Sequence, residues 1–186
     1  MDIINPIYKD EEIIEELKNY FSEYGFVQIN NFLIEDTIKL QKQINNQVDN
    51  KQEITEEKNL DPFLTILLET FKSNKITKLL EEITEFSLTP GKISCKNITK
   101  STKNTYNKKN YDRIYIIYDL SKDPLKRINR LNITTPTETL ISIPPAFNTL
   151  NLIYLPKEVY LENDLTINHS DNQKITRIEI EFTIIE

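Results

Sequence analysis

The chain has 186 residues, with 29 acidic and 23 basic side chains and a formal net charge of -6. This length is typical of a single domain that buries most of the surface its unfolded form would expose. Two glycines, one histidine, one cysteine and no tryptophan exclude glycine-rich phosphate loops, zinc ribbons, disulfide scaffolds and iron–sulfur sites. The composition therefore excludes several function classes but indicates none.

The amino-terminal residues MDIINPIYKDEE are acidic and match neither a secretory signal nor a transit peptide. No apolar run in the sequence approaches the length of a membrane-spanning helix. We therefore expect a soluble, cytoplasmic protein with no membrane partner.

Helical patterns dominate the first half of the chain. Apolar residues recur at three- and four-residue steps before Gly25, which is the left-handed stop expected after a helix. Pro62 is typical of the first position of a helix, and Pro90 with Gly91 is expected to end the helical half. The predicted elements are helices over 10–24, 34–48, 62–71 and 76–86, and a short strand over 26–33.

After position 91 the apolar period becomes two, as expected for strands. The alternation is clearest where Ile178, Ile180 and Phe182 lie between polar or charged neighbours. The predicted strands cover 93–99, 113–120, 139–143, 149–155, 159–162 and 174–185, with turns at 121–124 and 143–148. Helices followed by strands predict one α+β domain over 1–186, mainly helical over 1–90 and β over 91–186. In this predicted domain, the helices cover one face of a β-sandwich or small barrel.

Basic residues are concentrated in one segment. Positions 91–130 contain eleven lysines and arginines against three aspartates, whereas the rest of the chain contains twelve basic and twenty-six acidic residues. Such a cluster is typical either of a phosphate-contacting surface or of a solvated loop. On the first interpretation, the predicted RNA-binding residues are Lys92, Lys96, Lys100, Lys103, Lys108, Lys109, Arg113, Lys126, Arg127 and Arg130.

Five segments have a recognisable order and spacing. They are NPIYKD (5–10), FVQINNFLIEDTIKLQKQI (26–44), the helical pair over 60–86, PPAFNTLNLIYLPKEVYL (144–161) and INHSDNQKITRIEIEF (167–182). Together they resemble the prolyl-hydroxylase branch of the 2-oxoglutarate- and Fe(II)-dependent oxygenases. The best match is to the C-terminal, catalytically silent double-stranded β-helix domain of the ribosomal prolyl-hydroxylase group. This resemblance covers most of the chain and implies N-terminal helices packed on a pair of jelly-roll sheets.

An active member of this family holds Fe(II) through two histidines and one carboxylate, whereas this chain has one histidine. The resemblance places the first ligand motif within 103–112, where Asp112 is the one acidic residue. It places the second metal-binding histidine at Thr166, with His169 a few residues further on. We therefore expect no metal site, no catalytic residue and no bound cofactor.

The resemblance also matches Arg177 to the arginine that would bind the far carboxylate of 2-oxoglutarate, a contact suited to a guanidinium. Arg177 alternates with isoleucines beside Glu179 and Glu181, so an exposed cross-strand ion pair is the simpler interpretation. Arg177 is thus at most a vestigial cofactor-binding candidate.

A folded module without chemistry usually binds a partner, and the resemblance implies a role in translation. The leading hypothesis is a non-enzymatic, ribosome-associated factor of the dormancy or hibernation type that contacts rRNA and ribosomal proteins and restrains translation. No small-molecule substrate is expected. Two alternatives stay open: a protein-only scaffold for a translation factor, and a degenerate 2-oxoglutarate-dependent oxygenase.

Overall fold

The structure is a computed structural model that describes residues 3–34, 53–54, 62–98, 109–120, 128–144, 146–166 and 175–185. These ranges contain a 3-10 turn (Pro6–Lys9) and the helices α1 (Glu11–Tyr24), α2 (Pro62–Lys72) and α3 (Asn74–Thr84). Their strands are β1 (Phe26–Asn30), β2 (Glu53–Ile54), β3 (Ser87–Ile98), β4 (Arg113–Asp119), β5 (Ile128–Thr134), β6 (Thr139–Ile143), β7 (Thr149–Leu155), β8 (Tyr160–Thr166) and β9 (Ile175–Ile185).

Local capping residues determine the ends of the helices. The Asp10 side chain accepts a hydrogen bond from the Glu12 amide at 2.9 Å, which satisfies one of the amides left without a partner at the start of α1. Gly25 follows α1 with a φ of 65°, a left-handed conformation that glycine adopts without steric cost. Ser73 caps the start of α3. The predicted end of the first helix at Gly25 is therefore confirmed.

The strands form two antiparallel sheets. The larger has the order β1-β7-β4-β9-β3-β2 and the smaller the order β6-β5-β8. Within the larger sheet, β4 is paired on both sides, with β7 and with β9. The register of β4 with β9 places Asp119 directly opposite Arg177.

Alternation along the central strands divides the apolar core into two clusters. On one face of the larger sheet, Ile116 and Tyr118 of β4 join apolar residues of α1, α2 and α3. On the other face, Tyr115 and Ile117 join residues of the smaller sheet such as Leu131. The region between the two sheets is called the cup below.

Several strand predictions differ from the structure, most of all at β5 and β3. The sequence does not predict β5, because polar residues occupy most of 129–134. The two apolar residues of this range, Leu131 and Ile133, are buried in the structure. β3 begins at Ser87, so Pro90 and Gly91 lie inside a strand and do not end the helical half. The register of β3 shifts between Pro90 and Ile93, and proline is tolerated at such an irregularity.

Gly91 has a steric role at this irregularity. A Cβ at Gly91 would lie 2.7 Å from the carbonyl oxygen of Glu181 on β9. Real Cβ atoms do not approach a backbone oxygen so closely, so the local pairing of β3 with β9 requires glycine at this position.

Several features of the sequence prediction lie outside the described residues. They include the helix over 34–48 apart from Ile34, the turn at 121–124, and His169. No helix in the described part of the chain has the length and apolar character needed to cross a membrane.

Candidate functional site

Charged side chains line the cup together with apolar ones. Ile178 of β9 belongs to the cluster on the helix-facing side, so Arg177 and Glu179 lie on the cup side because side chains alternate along a strand. Asp119 and Arg113 lie on the cup side of β4 by the same alternation. All four of these charged residues are about 1% exposed. Their formal charges balance, with two arginines against two carboxylates.

Arg177 and Asp119 form a direct ion pair inside the fold. The Nε of Arg177 donates to Oδ1 of Asp119 at 2.7 Å. The predicted cross-strand ion pair of Arg177 is therefore present, but the predicted exposure is wrong because the side chain is buried. The alternation with Ile178 and Ile180 suggested a solvent-facing position, but Arg177 and Glu179 on this second face of β9 are both buried.

Burial and ion pairing shift the pKa of the Asp119 carboxyl in opposite directions. Removal from water raises the pKa of the Asp119 carboxyl above its usual value, and the Arg177 guanidinium opposes this rise. A hydrogen bond from the Ala146 amide also favours the carboxylate. Since each partner compensates for the burial of the other, a group that displaced either one would leave a buried charge without this compensation.

Other polar groups of the cup also bond to one another. The Tyr115 hydroxyl donates to Oε2 of Glu179 at 3.2 Å. Asn151 accepts from Nε2 of Gln28 at 2.8 Å, and its own Nδ2 donates to the Ile117 carbonyl at 3.2 Å. Buried polar groups are normally satisfied in this way, and these polar groups of the cup have hydrogen-bond partners within the chain.

The sequence prediction missed Asp119, Glu179 and Asn151 as residues of this site. The available signal was the alternation itself, because Arg177 and Glu179 share one face of a strand whose other face is apolar. That signal identifies a polar face but does not show whether a second sheet covers it.

Arg113 is one of the predicted RNA-binding residues, and its burial corrects that prediction. Its Nη2 donates to the Val159 carbonyl at 3.3 Å, and its Nε lies 3.7 Å from Oε2 of Glu181. Its Nη1 is buried and has no hydrogen-bond partner among the described residues. Desolvation lowers the pKa of Arg113, while Glu181 raises it. A guanidinium enclosed at the end of the cup does not lie on a surface that a phosphate backbone could contact.

The structure does not bring the other predicted RNA-binding residues together as one described surface. Lys92 is exposed on β3 of the larger sheet, whereas Arg130 is exposed on β5 of the smaller sheet. The Nζ of Lys109 lies 5.9 Å from the centre of the Tyr111 ring, and Lys96 lies on β3. Lys100, Lys103, Lys108, Lys126 and Arg127 lie outside the described residues.

Asp112, which lies in the segment that the resemblance assigns to the first ligand motif, has other partners in the structure. Oδ1 of Asp112 accepts from the Lys157 amide and Oδ2 accepts from the Tyr154 hydroxyl, each at 2.8 Å. Tyr154 packs against the helix-facing cluster, so Asp112 is held away from the cup. Thr166 is the last residue of β8. The described ranges contain no group of three or more His, Cys, Asp or Glu residues able to hold a metal ion.

Comparison with solved structures identifies the fold. A prolyl hydroxylase from Trichoplax adhaerens, solved with a hypoxia inducible factor peptide fragment, has a TM-score of 0.64 and 14% identity over 95% of this chain and 91% of that chain. A prolyl-4-hydroxylase from Pseudomonas putida has a TM-score of 0.60 and 11% identity over 93% and 94%. An oxidoreductase of the 2OG-Fe(II) oxygenase family from Burkholderia pseudomallei has a TM-score of 0.63 and 10% identity over 94% and 91%. The chain has the double-stranded β-helix fold of these oxygenases.

The similarity is one of structure and not of sequence. No protein-family model matches the chain, and no curated protein sequence matches it. The matching structures also include an alpha-ketoglutarate-dependent epimerase. The ribosome-associated dormancy function predicted from the sequence is therefore wrong by this comparison, which favours the alternative of a degenerate oxygenase.

The residues of this chain do not fit the iron and 2-oxoglutarate that the oxygenase fold implies. Iron ligation by two histidines and a carboxylate needs one histidine more than the sequence contains. The guanidinium matched to the 2-oxoglutarate carboxylate already binds Asp119. The side chain of Asp112 is engaged on the other side of the sheet.

Proposed function

We propose that this chain is a degenerate 2-oxoglutarate oxygenase, which uses the double-stranded β-helix as a non-catalytic binding module. The observation that carries the proposal is the buried pair of Arg177 and Asp119 at 2.7 Å. In this arrangement a carboxylate of the chain itself occupies the guanidinium that the resemblance assigns to the cosubstrate.

The energetics of burial support this interpretation. Asp119 binds Nε of Arg177 at 2.7 Å and is about 1% exposed, so an external carboxylate that took this position on the guanidinium would have to displace it. The displaced carboxylate would then be buried without its partner, and breaking a buried pair in this way costs about 3 to 5 kcal/mol. Binding of 2-oxoglutarate at this site would therefore be opposed by a penalty of at least a hundredfold in affinity, since about 1.4 kcal/mol is tenfold.

The histidine count is a second, independent support. A facial triad keeps open positions on iron for its cosubstrates, and it requires two imidazoles and a carboxylate. With one histidine in the sequence, this chain would need a different ligand set to hold Fe(II).

The proposal is tested by anaerobic titration of Fe(II), followed by 2-oxoglutarate, into the purified chain, with heat and succinate formation both measured. We expect no saturable, stoichiometric heat from either addition and no succinate above a protein-free blank after air is admitted. An active oxygenase of the same fold is the positive control. Stoichiometric Fe(II) binding together with succinate release would overturn the proposal.

A further inference from the structure

The outer edge of β1 adjoins a groove, and β7 separates β1 from the strands β4 and β9 that carry Asp119 and Arg177. This groove has a volume of about 310 Å³ and lies between α1 and the first half of β1. Its lining residues are Glu16, Leu17, Tyr20, Phe26, Val27 and Gln28. β1 is the terminal strand of the larger sheet and pairs with β7 on one side and with no described strand on the other.

The register of β1 shows which backbone groups face this groove. The Tyr154 amide of β7 donates to the Gly25 carbonyl at 2.8 Å, so in an antiparallel ladder Val27 and Ile29 are the next residues to exchange hydrogen bonds with β7. The N–H and C=O groups of Phe26 and Gln28 therefore point to the outer edge. Such a row of backbone groups is a template for an added strand.

The second half of this edge is already covered. The Asn5 amide donates to the Phe32 carbonyl at 2.9 Å, and the Tyr8 hydroxyl donates to the Asn30 carbonyl. The available template is therefore limited to Phe26–Gln28, next to the groove.

Side chains of α1 give the groove its chemical character. The rings of Tyr20 and Tyr24 lie 4.6 Å apart, and the two residues are 49% and 53% exposed. Helix α1 carries five glutamates, including Glu16 in the groove lining, against the single lysine Lys18. Exposed aromatic residues are typical anchors of interaction surfaces, and the excess of carboxylates favours a cationic partner.

We infer that the groove binds an extended peptide segment bearing Lys or Arg, which adds to β1 as a strand at Phe26 and Gln28. Its cationic side chains lie against the carboxylates of α1, and its aliphatic stems contact Tyr20 and Tyr24. The surface uses neither Arg177 nor Asp119, so its test is independent of the proposed loss of catalysis.

Binding is measured by fluorescence anisotropy with three labelled synthetic peptides. The first alternates lysine with valine, the second alternates glutamate with valine, and the third repeats the first with every backbone amide N-methylated so that it cannot donate to a strand edge. We expect saturable binding of the first peptide and affinities at least about tenfold weaker for the other two, a difference of about 1.4 kcal/mol. Equal binding of the N-methylated peptide, or no binding of the first peptide, would overturn the inference.

Variants of the chain locate the binding surface. The double variant Tyr20→Ala/Tyr24→Ala is expected to bind the lysine–valine peptide at least tenfold more weakly than the wild type, a difference of about 1.4 kcal/mol. The control Leu140→Ala changes an exposed apolar residue on β6 and should leave this affinity unchanged. Gln28→Pro removes the outward amide of Gln28 and should weaken binding further than Gln28→Ala, which keeps that amide. Unchanged affinity in the double tyrosine variant, or concentration-dependent dimerisation that blocks the peptide, would contradict the inference.

Discussion

Arg177 on β9 and Asp119 on β4 are direct partners across the ladder, and Nε of the arginine donates to the aspartate carboxylate at 2.7 Å. The register of two antiparallel strands thus places a fixed carboxylate against the guanidinium. Both side chains lie on the cup side of the larger sheet and are about 1% exposed. Each offsets the burial of the other, and the pair is the basis for the proposed inability to take up a carboxylate cosubstrate.

Removing Asp119 alone should destabilise the fold strongly. In Asp119→Ala the Arg177 charge stays buried without its partner, and we expect a loss of about 3 to 5 kcal/mol in the free energy of unfolding. Urea denaturation followed by circular dichroism measures this change.

The matched control removes both charges. Asp119→Leu/Arg177→Met replaces the pair by apolar groups of similar size, and it should be less destabilised than either single variant. A double variant that loses the full sum of the two single losses would show that the pair contributes no coupling energy.

The two buried arginines are expected to respond differently to substitution by methionine. Arg177→Met leaves Asp119 fully buried and should cost about 3 to 5 kcal/mol. Arg113→Met removes a guanidinium whose Nη1 has no described partner and leaves Glu181, which can still reach water because its side chain is 29% exposed. We therefore expect Arg113→Met to change the free energy of unfolding by no more than about 1 kcal/mol. Equal losses in the two variants would contradict this difference.

Asp112 should contribute to acid sensitivity. Hydrogen bonds from the Lys157 amide and the Tyr154 hydroxyl lower the pKa of the Asp112 carboxyl. Because the folded pKa lies below the unfolded value of about 3.9, this contribution to stability is present above that value and disappears as the pH falls through the folded pKa. Unfolding free energies of the wild type and Asp112→Asn, measured over an acid series, should differ at neutral pH and converge in strong acid. A constant difference at every pH would count against this role of Asp112.

The single cysteine should report on unfolding. Cys95 is buried in the larger cluster, and desolvation raises the pKa of its thiol to about 12. The thiolate is the reactive form, so iodoacetamide at mildly alkaline pH should label the native chain only as fast as the chain opens. Complete labelling in denaturant, measured by mass spectrometry, is the control. Rapid labelling of the native protein would show that Cys95 is accessible.

Local signals in the sequence predict much of the fold. The helix before Gly25 follows from apolar spacing and a left-handed stop, and β9 follows from the alternation of Ile178, Ile180 and Phe182. These features depend on neighbouring residues, so one segment suffices to identify each. β5 was missed because its sequence lacks a clear alternation. The path of β3 through Pro90 was missed because it depends on pairing with β9, and one segment of sequence carries no information on that pairing.

The site was less predictable than the fold because its properties depend on tertiary burial. The sequence identified Arg177 as a candidate but not Asp119, which lies 58 positions away along the chain. It also placed Arg113 on a basic surface, since a local count of charges does not show which side chains enter the cup. The excess of basic residues over 91–130 therefore predicted a contact surface that Arg113 does not join.

The decisive comparison is the melting temperature of three proteins against increasing 2-oxoglutarate: the wild type, Asp119→Ala and Asp119→Ala/Arg177→Met. Ligand that binds only the folded state raises the melting temperature. We expect no rise for the wild type, a saturable rise for Asp119→Ala, where the carboxylate of the ligand replaces the missing one, and no rise for the double variant. A saturable rise in the wild type at the same concentrations would contradict this expectation.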